Sequence, residues 1–216
     1  MDDHQPLYEA ILIGDAQTAR AATEQALAAG MDPLKLVQDH MMRAMAEVGR
    51  RFECRDYFVP ELLLAARAMK NALEPIRPLL KNQSIGPSGC VLIGTVTGDL
   101  HDIGKNLVIA MLEGAGFEVV DLGVNVPAGQ FIQKIKEKNP HIVAMSALLT
   151  TTMPAMKTTI DALKQAGVRN QVQIIVGGAP ITQKYADEIG ADGYTETASG
   201  AVALARKVMV QARLQK

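Results

Sequence analysis

The chain has 216 residues and is nearly neutral, with 22 Lys and Arg against 23 Asp and Glu, so no strong field steers it toward nucleic acid or an anionic membrane. Its two cysteines, Cys54 and Cys90, have no CxxC spacing or His-rich partner, which excludes a disulfide framework and a conventional zinc site and leaves no neighbour to activate either thiol. The opening MDDHQPLYEA reads as neither signal nor transit peptide, and no apolar run approaches the ~20 residues of a membrane helix; the expectation is a soluble cytoplasmic protein.

Residues 5–80 carry helical periodicity throughout. Asp15 can cap an alanine-rich helix, with Gly30 in the left-handed position just past its end. Asp32-Pro33 reads as N-cap and first position of the next helix, in which Leu34, Val37, Met41, Met45 and Val48 repeat at helical spacing. A further helix places Leu62, Leu63, Ala66, Met69, Leu73 and Ile76 on one face. Four short amphipathic helices predict a small bundle over residues 1–82, an all-α domain with methionines as packing. KNQSIGPSG, residues 81–89, has Ser, Gly and Pro but no periodicity, and 83–89 reads as the linker between two domains.

From Cys90 onward strands alternate with helices. The strands read as 90–96, 118–121, 141–146, 172–176 and 192–194, the helices as 103–115, 128–138, 152–166, 181–189 and 198–213. Gly116 and Gly167 stop two of the helices, and Asn139-Pro140 turns the chain into the third strand. Five such units within 90–216 predict a flavodoxin-like, Rossmann-type α/β domain with a five-stranded parallel sheet in the order 2-1-3-4-5. Sheets of this kind hold ligands at their carboxyl edge, where the order reverses between strands 1 and 3. That rule gathers GDLHDIGKN (98–106), Ser146–Thr152 and Gly177-Gly178 at one edge, the glycines leaving backbone open to a ligand.

The chemistry of GDLHDIGKN is open at this point. It is not a phosphate loop, because five residues rather than four separate Gly98 from Gly104, and Asn106 stands where Ser or Thr should follow the lysine. A phosphoacceptor receiver needs an aspartate at the end of strand 3, where Ser146 and threonines stand. FMN binding calls for a hydroxyl-rich turn, and two aspartates here would repel a phosphate. A metal site fits better: Asp99-x-His101 lets the carboxylate accept Nδ1–H while Nε2 faces a metal. The plainer alternative is a surface histidine at a helix start, with Asp99 or Asp102 as the cap. Lys105 reads as solvated.

The run Asp99-x-His101-x-x-Gly104, followed after 41 residues by Ser146-x-Leu148 and after 28 more by Gly177-Gly178, resembles the signature of cobalamin-binding domains. The resemblance implies that His101 displaces the cofactor's own base and becomes the lower axial ligand of cobalt, base-off and His-on, with Asp99 behind it. It also implies that Gly104 and the double glycine leave room for the displaced nucleotide tail, and that Ser146 bonds its base. Gly98, Leu100, Asp102, Leu148, Thr150, Tyr194 and Ala198 match further cofactor-contact positions, and Thr152 matches the hydroxyl of a His–Asp–hydroxyl relay. Upstream, Val48-Gly49-Arg50-Arg51-Phe52, Phe58-Val59-Pro60-Glu61, Ala65 and Ala68-Met69 resemble the helical cap of methionine synthase and of small corrinoid proteins. Phe52 and Val59 would then cover the upper, methyl-bearing face of the corrin, serve in the bundle core, or do both. Gln38 departs from the pattern, standing where methionine synthase carries a glutamate.

What the resemblance implies is a corrinoid protein of a methyltransferase system, inactive alone, whose cofactor cycles between Co(I) and methyl-Co(III). Its partners would be a substrate-specific methyltransferase, a second methyltransferase serving an acceptor such as tetrahydrofolate or a thiol, and a reductive activation protein. The cap would swing aside for each partner, hinging at 81–89. Two other classes share the signature: a subunit of an adenosylcobalamin-dependent mutase, which usually lacks this cap, and a cobalamin-sensing regulator, which would add a basic DNA-binding module.

Overall fold

The structure, a computed structural model, describes residues 5–80 and 89–214. These form two compact units, residues 5–80 with 110–117, and residues 89–109 with those from 118 onward. Residues 81–88, which carry most of the expected linker and hinge, lie outside the described residues.

The first unit begins with α1 (Gln5–Ile13) and α2 (Ala16–Ala28). A turn of helix, α3 (Pro33–Lys35), runs through a π-helical segment, Leu36–Met41, into α4 (Met42–Glu53); α5 (Val59–Leu73) and the short α6 (Arg77–Leu80) follow. Local chemistry sets the starts. The Asp15 carboxylate accepts from the amides of Gln17 and Thr18, and Asp32 accepts from Leu34 with Pro33 at the first helical position. Leu7, Ile11, Leu36, Met41, Met45, Val48, Leu62, Met69 and Ile76 fill the core.

Two details differ from the periodicity. Leu36, rather than Leu34 or Val37, is fully buried. The π segment is the reason: the Met42 amide bonds to the Val37 carbonyl five residues back, which adds a residue to the turn and rotates the apolar face. Leu63 is 47% exposed instead of lying in the core. α5 packs on α2 through small residues, with Ala19, Thr23 and Ala26 buried on one helix and Ala65, Ala68 and Ala72 on the other. Helices that approach this closely have no room for a leucine between them.

From Cys90 the order is β1 (Cys90–Thr95), α7 (Ile103–Gly114), β2 (Glu118–Asp121), α8 (Ala128–Lys138), β3 (Ile142–Ser146), α9 (Met153–Gln165), β4 (Gln173–Gly177), α10 (Gln183–Ile189), β5 (Gly193–Tyr194) and α11 (Ala198–Leu214). The five strands are parallel and ordered β2-β1-β3-β4-β5, as the alternation predicts. Central strands are apolar at nearly every position and buried, as parallel strands covered on both faces must be. The register aligns Thr95, Ser146 and Gly177 across β1, β3 and β4. The loops that follow these three residues therefore leave the sheet side by side. No helix among the described residues is long and apolar enough to cross a membrane.

Candidate functional site

The loop after β1 is organised by one carboxylate. Asp99 is fully buried, and both of its oxygens are saturated. Oδ1 accepts the His101 amide at 3.0 Å and lies 2.9 Å from His101 Nδ1; Oδ2 accepts the Leu148 amide and the Thr152 hydroxyl, each at 2.7 Å. Burial alone would push this carboxyl up, but the hydrogen bonds from Leu148, Thr152 and His101 outweigh it and hold Asp99 well below the ordinary carboxylate range. An ionised carboxylate only accepts, so Nδ1 carries the proton of this bond and Nε2 is the ring nitrogen left for another partner. Nε2 has no partner among the described residues, and the His101 side chain is 51% exposed. A buried anion thus presents an oriented imidazole at the carboxyl edge of the sheet.

The sequence reading misses several of the groups that hold this loop. Asn125, in the left-handed region at φ 53°, accepts the Gly98 amide on its carboxamide oxygen at 2.8 Å and donates its own amide to the Asp99 carbonyl at 2.9 Å. The buried Thr95 hydroxyl donates to the His101 carbonyl at 2.9 Å. Lys105 is not solvated: it is 3% exposed, and Nζ lies 2.8 Å from both oxygens of Asp121 and 2.9 Å from the Asn106 carboxamide. Pairing of β2 with β1 brings Asp121 to it, which no local pattern announces. Asp102 is the first acceptor of α7 through its carbonyl, while its carboxylate takes the Asn106 side-chain amide at 3.2 Å.

Around His101 the edge is apolar and open. Leu100 and Ile103 are 71% and 75% exposed, and Leu148, Leu149 and Val124 also face solvent; Ile103, Leu149 and Val124 were not singled out by the sequence. Ser146 ends β3 half-buried, and its hydroxyl has no partner among the described residues. A Cβ on Gly104 would meet nothing within 4 Å, which leaves space beside α7. Gly178 is different. Its φ is 131°, and a Cβ would collide with the Ala147 carbonyl at 1.8 Å, so the loops after β3 and β4 already use the space that its missing side chain provides. Thr150 is exposed, Tyr194 is half-buried in β5 and Ala198 opens α11. In the helical unit Phe52 is half-buried at the end of α4. Val59 opens α5 exposed, next to a more exposed Phe58. Cys54, for which no neighbour was expected, has Arg50 Nη1 at 3.8 Å.

Among the described residues no group of three His, Cys, Asp or Glu side chains could hold a metal ion. Two family models, each described as a B12 binding domain, match residues 4–76 and 89–203. The chain belongs to the B12-binding-domain family. Within it, this B12-binding protein is 47% identical to trimethylamine corrinoid protein 1 of Methanosarcina acetivorans over 94% of each chain. It is 42% identical to the dimethylamine corrinoid protein of Methanosarcina barkeri, covering 95% of this chain and 96% of that one. Its structure resembles a chain of the methanol:cobalamin methyltransferase complex of Methanosarcina barkeri, with TM-score 0.79 and 32% identity over 95% of this chain and 78% of that one. A cobalamin-binding protein from Desulfitobacterium hafniense gives TM-score 0.78 and 32% identity over 96% and 99%. The B12-binding protein accordingly has a helical cap and an α/β cobalamin-binding domain, with the His101 loop at the switch point of the latter.

Proposed function

We propose that this chain carries a methyl group on cobalt between two enzymes. A substrate-specific methyltransferase loads it, and a second methyltransferase passes it to tetrahydrofolate or a thiol. The observation that carries the reading is the His101 ring, held at Nδ1 by a buried, ionised carboxylate while Nε2 stays unpartnered. A bound corrinoid supplies a cobalt centre that takes up and gives up the methyl group; the chain's own residues hold and tune it.

His101 is the axial ligand in this reading, base-off and His-on, with Asp99 setting its tautomer. The Thr152 hydroxyl has one proton and two acceptors, Asp99 Oδ2 at 2.7 Å and the Leu149 carbonyl at 2.9 Å. It can point to either, so Asp99 and Thr152 are assigned to manage the imidazole's proton as His101 binds and releases the cofactor. Leu100, Leu148, Thr150, Tyr194 and Ala198 serve as contacts for the ring and its substituents. Gly104, with Ser146 and Gly177, serves the displaced tail, while Gly98 and Asp102 contact the cofactor from the loop, and Gly178 acts by letting the loops after β3 and β4 close on each other. Phe52 and Val59, in a cap of residues 1–82, are assigned to the methyl-bearing face. The names of the relatives favour a methylated amine as donor, and a reductive activation protein is the third partner.

His101→Ala, loaded with methylcobalamin, tests the reading. The absorption spectrum of the histidine-ligated form should be lost, and an unchanged spectrum would overturn the assignment.

A further inference from the structure

The contacts of the His101 amide and ring all run to the Asp99 side chain, but one further contact of His101 does not. His101 donates its amide to Asp99 Oδ1 at one end of the residue, and at the other end its carbonyl accepts the Thr95 hydroxyl at 2.9 Å. Thr95 is the last residue of β1 and is fully buried. Its own main chain cannot shift, because its amide donates to the Gly123 carbonyl at 3.0 Å and its carbonyl accepts the Val126 amide at 2.9 Å. The hydroxyl is therefore a fixed point of the sheet, and it fixes the peptide that follows His101.

We propose that Thr95 is a positioning residue for the imidazole. It returns His101 to the same height above the sheet each time the ring leaves and rejoins cobalt. With the carbonyl untethered, the peptides between Leu100 and Asp102 are free to rotate, and the ring must be reordered at each ligation. The inference rests on the reading of His101 as axial ligand.

The experiment compares Thr95→Val with Thr95→Ser in the full chain loaded with cobalamin. Valine keeps the buried volume and removes the hydroxyl; serine keeps the hydroxyl and removes a core methyl. The measurement is the one-electron Co(II)/Co(I) midpoint potential, in which an electron enters from a mediator and the imidazole leaves. Losing one positioning hydrogen bond should weaken ligation of the oxidised form by about 3- to 10-fold, which raises the potential by about 30–60 mV at 59 mV per tenfold for one electron. Thr95→Val is expected to show this rise with little loss of thermal stability in the apoprotein. Thr95→Ser is expected to keep the wild-type potential while melting earlier, because the lost methyl affects packing alone. A merely structural Thr95 gives the opposite pairing, with potential tracking stability or not moving at all, and that result overturns the inference. His101→Ala separates the two levels. If its potential equals wild type, His101 is not a ligand and the functional reading falls. If its potential rises but that of Thr95→Val does not, only the role of Thr95 falls.

Discussion

Replacing Asp99 by Asn tests whether one buried carboxylate organises the site. The two oxygens serve two pairs of donors: the amide and ring of His101 on Oδ1, and the Leu148 amide and Thr152 hydroxyl on Oδ2. A carboxamide keeps one oxygen. If its nitrogen replaces Oδ1, both His101 donors lose their acceptor. If it replaces Oδ2, Thr152 can rotate its proton to Leu149, and only the Leu148 amide is left facing a donor. The second orientation is cheaper. One buried amide without a partner costs about 1–3 kcal/mol, and the surviving charge-assisted bonds weaken by about another 1 kcal/mol. The apoprotein should lose about 2–4 kcal/mol, which lowers the urea midpoint by about 1–2 M for a slope near 2 kcal/mol per M. The sign with pH follows from the depressed carboxyl. Its contribution is complete above the ordinary value of 3.8 and is lost as pH falls through the lower folded value. The gap between wild type and Asp99→Asn, followed by urea titration, should therefore close on acidification below about pH 4. Equal midpoints at pH 7, or a gap that stays constant into acid, would refute the argument.

Two further predictions concern the neighbouring groups. Lys105→Met leaves Asp121, whose side chain is 42% exposed, free to hydrate and should cost about 1–2 kcal/mol. Asp121→Asn removes the counter-charge of a buried ammonium, which keeps the Asn106 carboxamide at 2.9 Å, and should cost more, about 2–4 kcal/mol. Urea midpoints that rank the other way would show that the ammonium reaches water. Gly104→Ala, whose Cβ meets open space in the first turn of α7, should stabilise the apoprotein by up to about 1 kcal/mol. It should also weaken corrinoid binding by about tenfold, equivalent to about 1.4 kcal/mol. Unchanged affinity in a fluorescence or absorption titration would mean that the tail takes another path.

The strand–helix alternation and the pairing of Asp99 with His101 are legible in the chain because each depends on short-range chemistry, and the alternation brings the sheet order with it through the small set of topologies such folds adopt. Period-2 and period-3.6 patterns, Asp32-Pro33, Gly116 and Asn139-Pro140 act within a few residues. A carboxylate two positions from an imidazole can reach Nδ1 without help from the rest of the fold. The topological rule then carries Ser146 and Gly177 to the same edge. The π segment at Leu36–Met41 escapes this kind of reading, since it changes hydrogen-bond partners without changing composition.

What the tertiary structure alone decides is which polar groups share a partner. Lys105 resembles any lysine in the first turn of a helix until β2 pairs with β1 and sets Asp121 against it. Thr95 resembles any β-branched strand residue until the chain folds back and places the His101 carbonyl on its hydroxyl. Gly178 looks like room for a ligand until Ala147 is seen to occupy that room. Sequence periodicity records which face of an element is apolar. It does not record distances between elements, and a buried polar group is satisfied only by such distances.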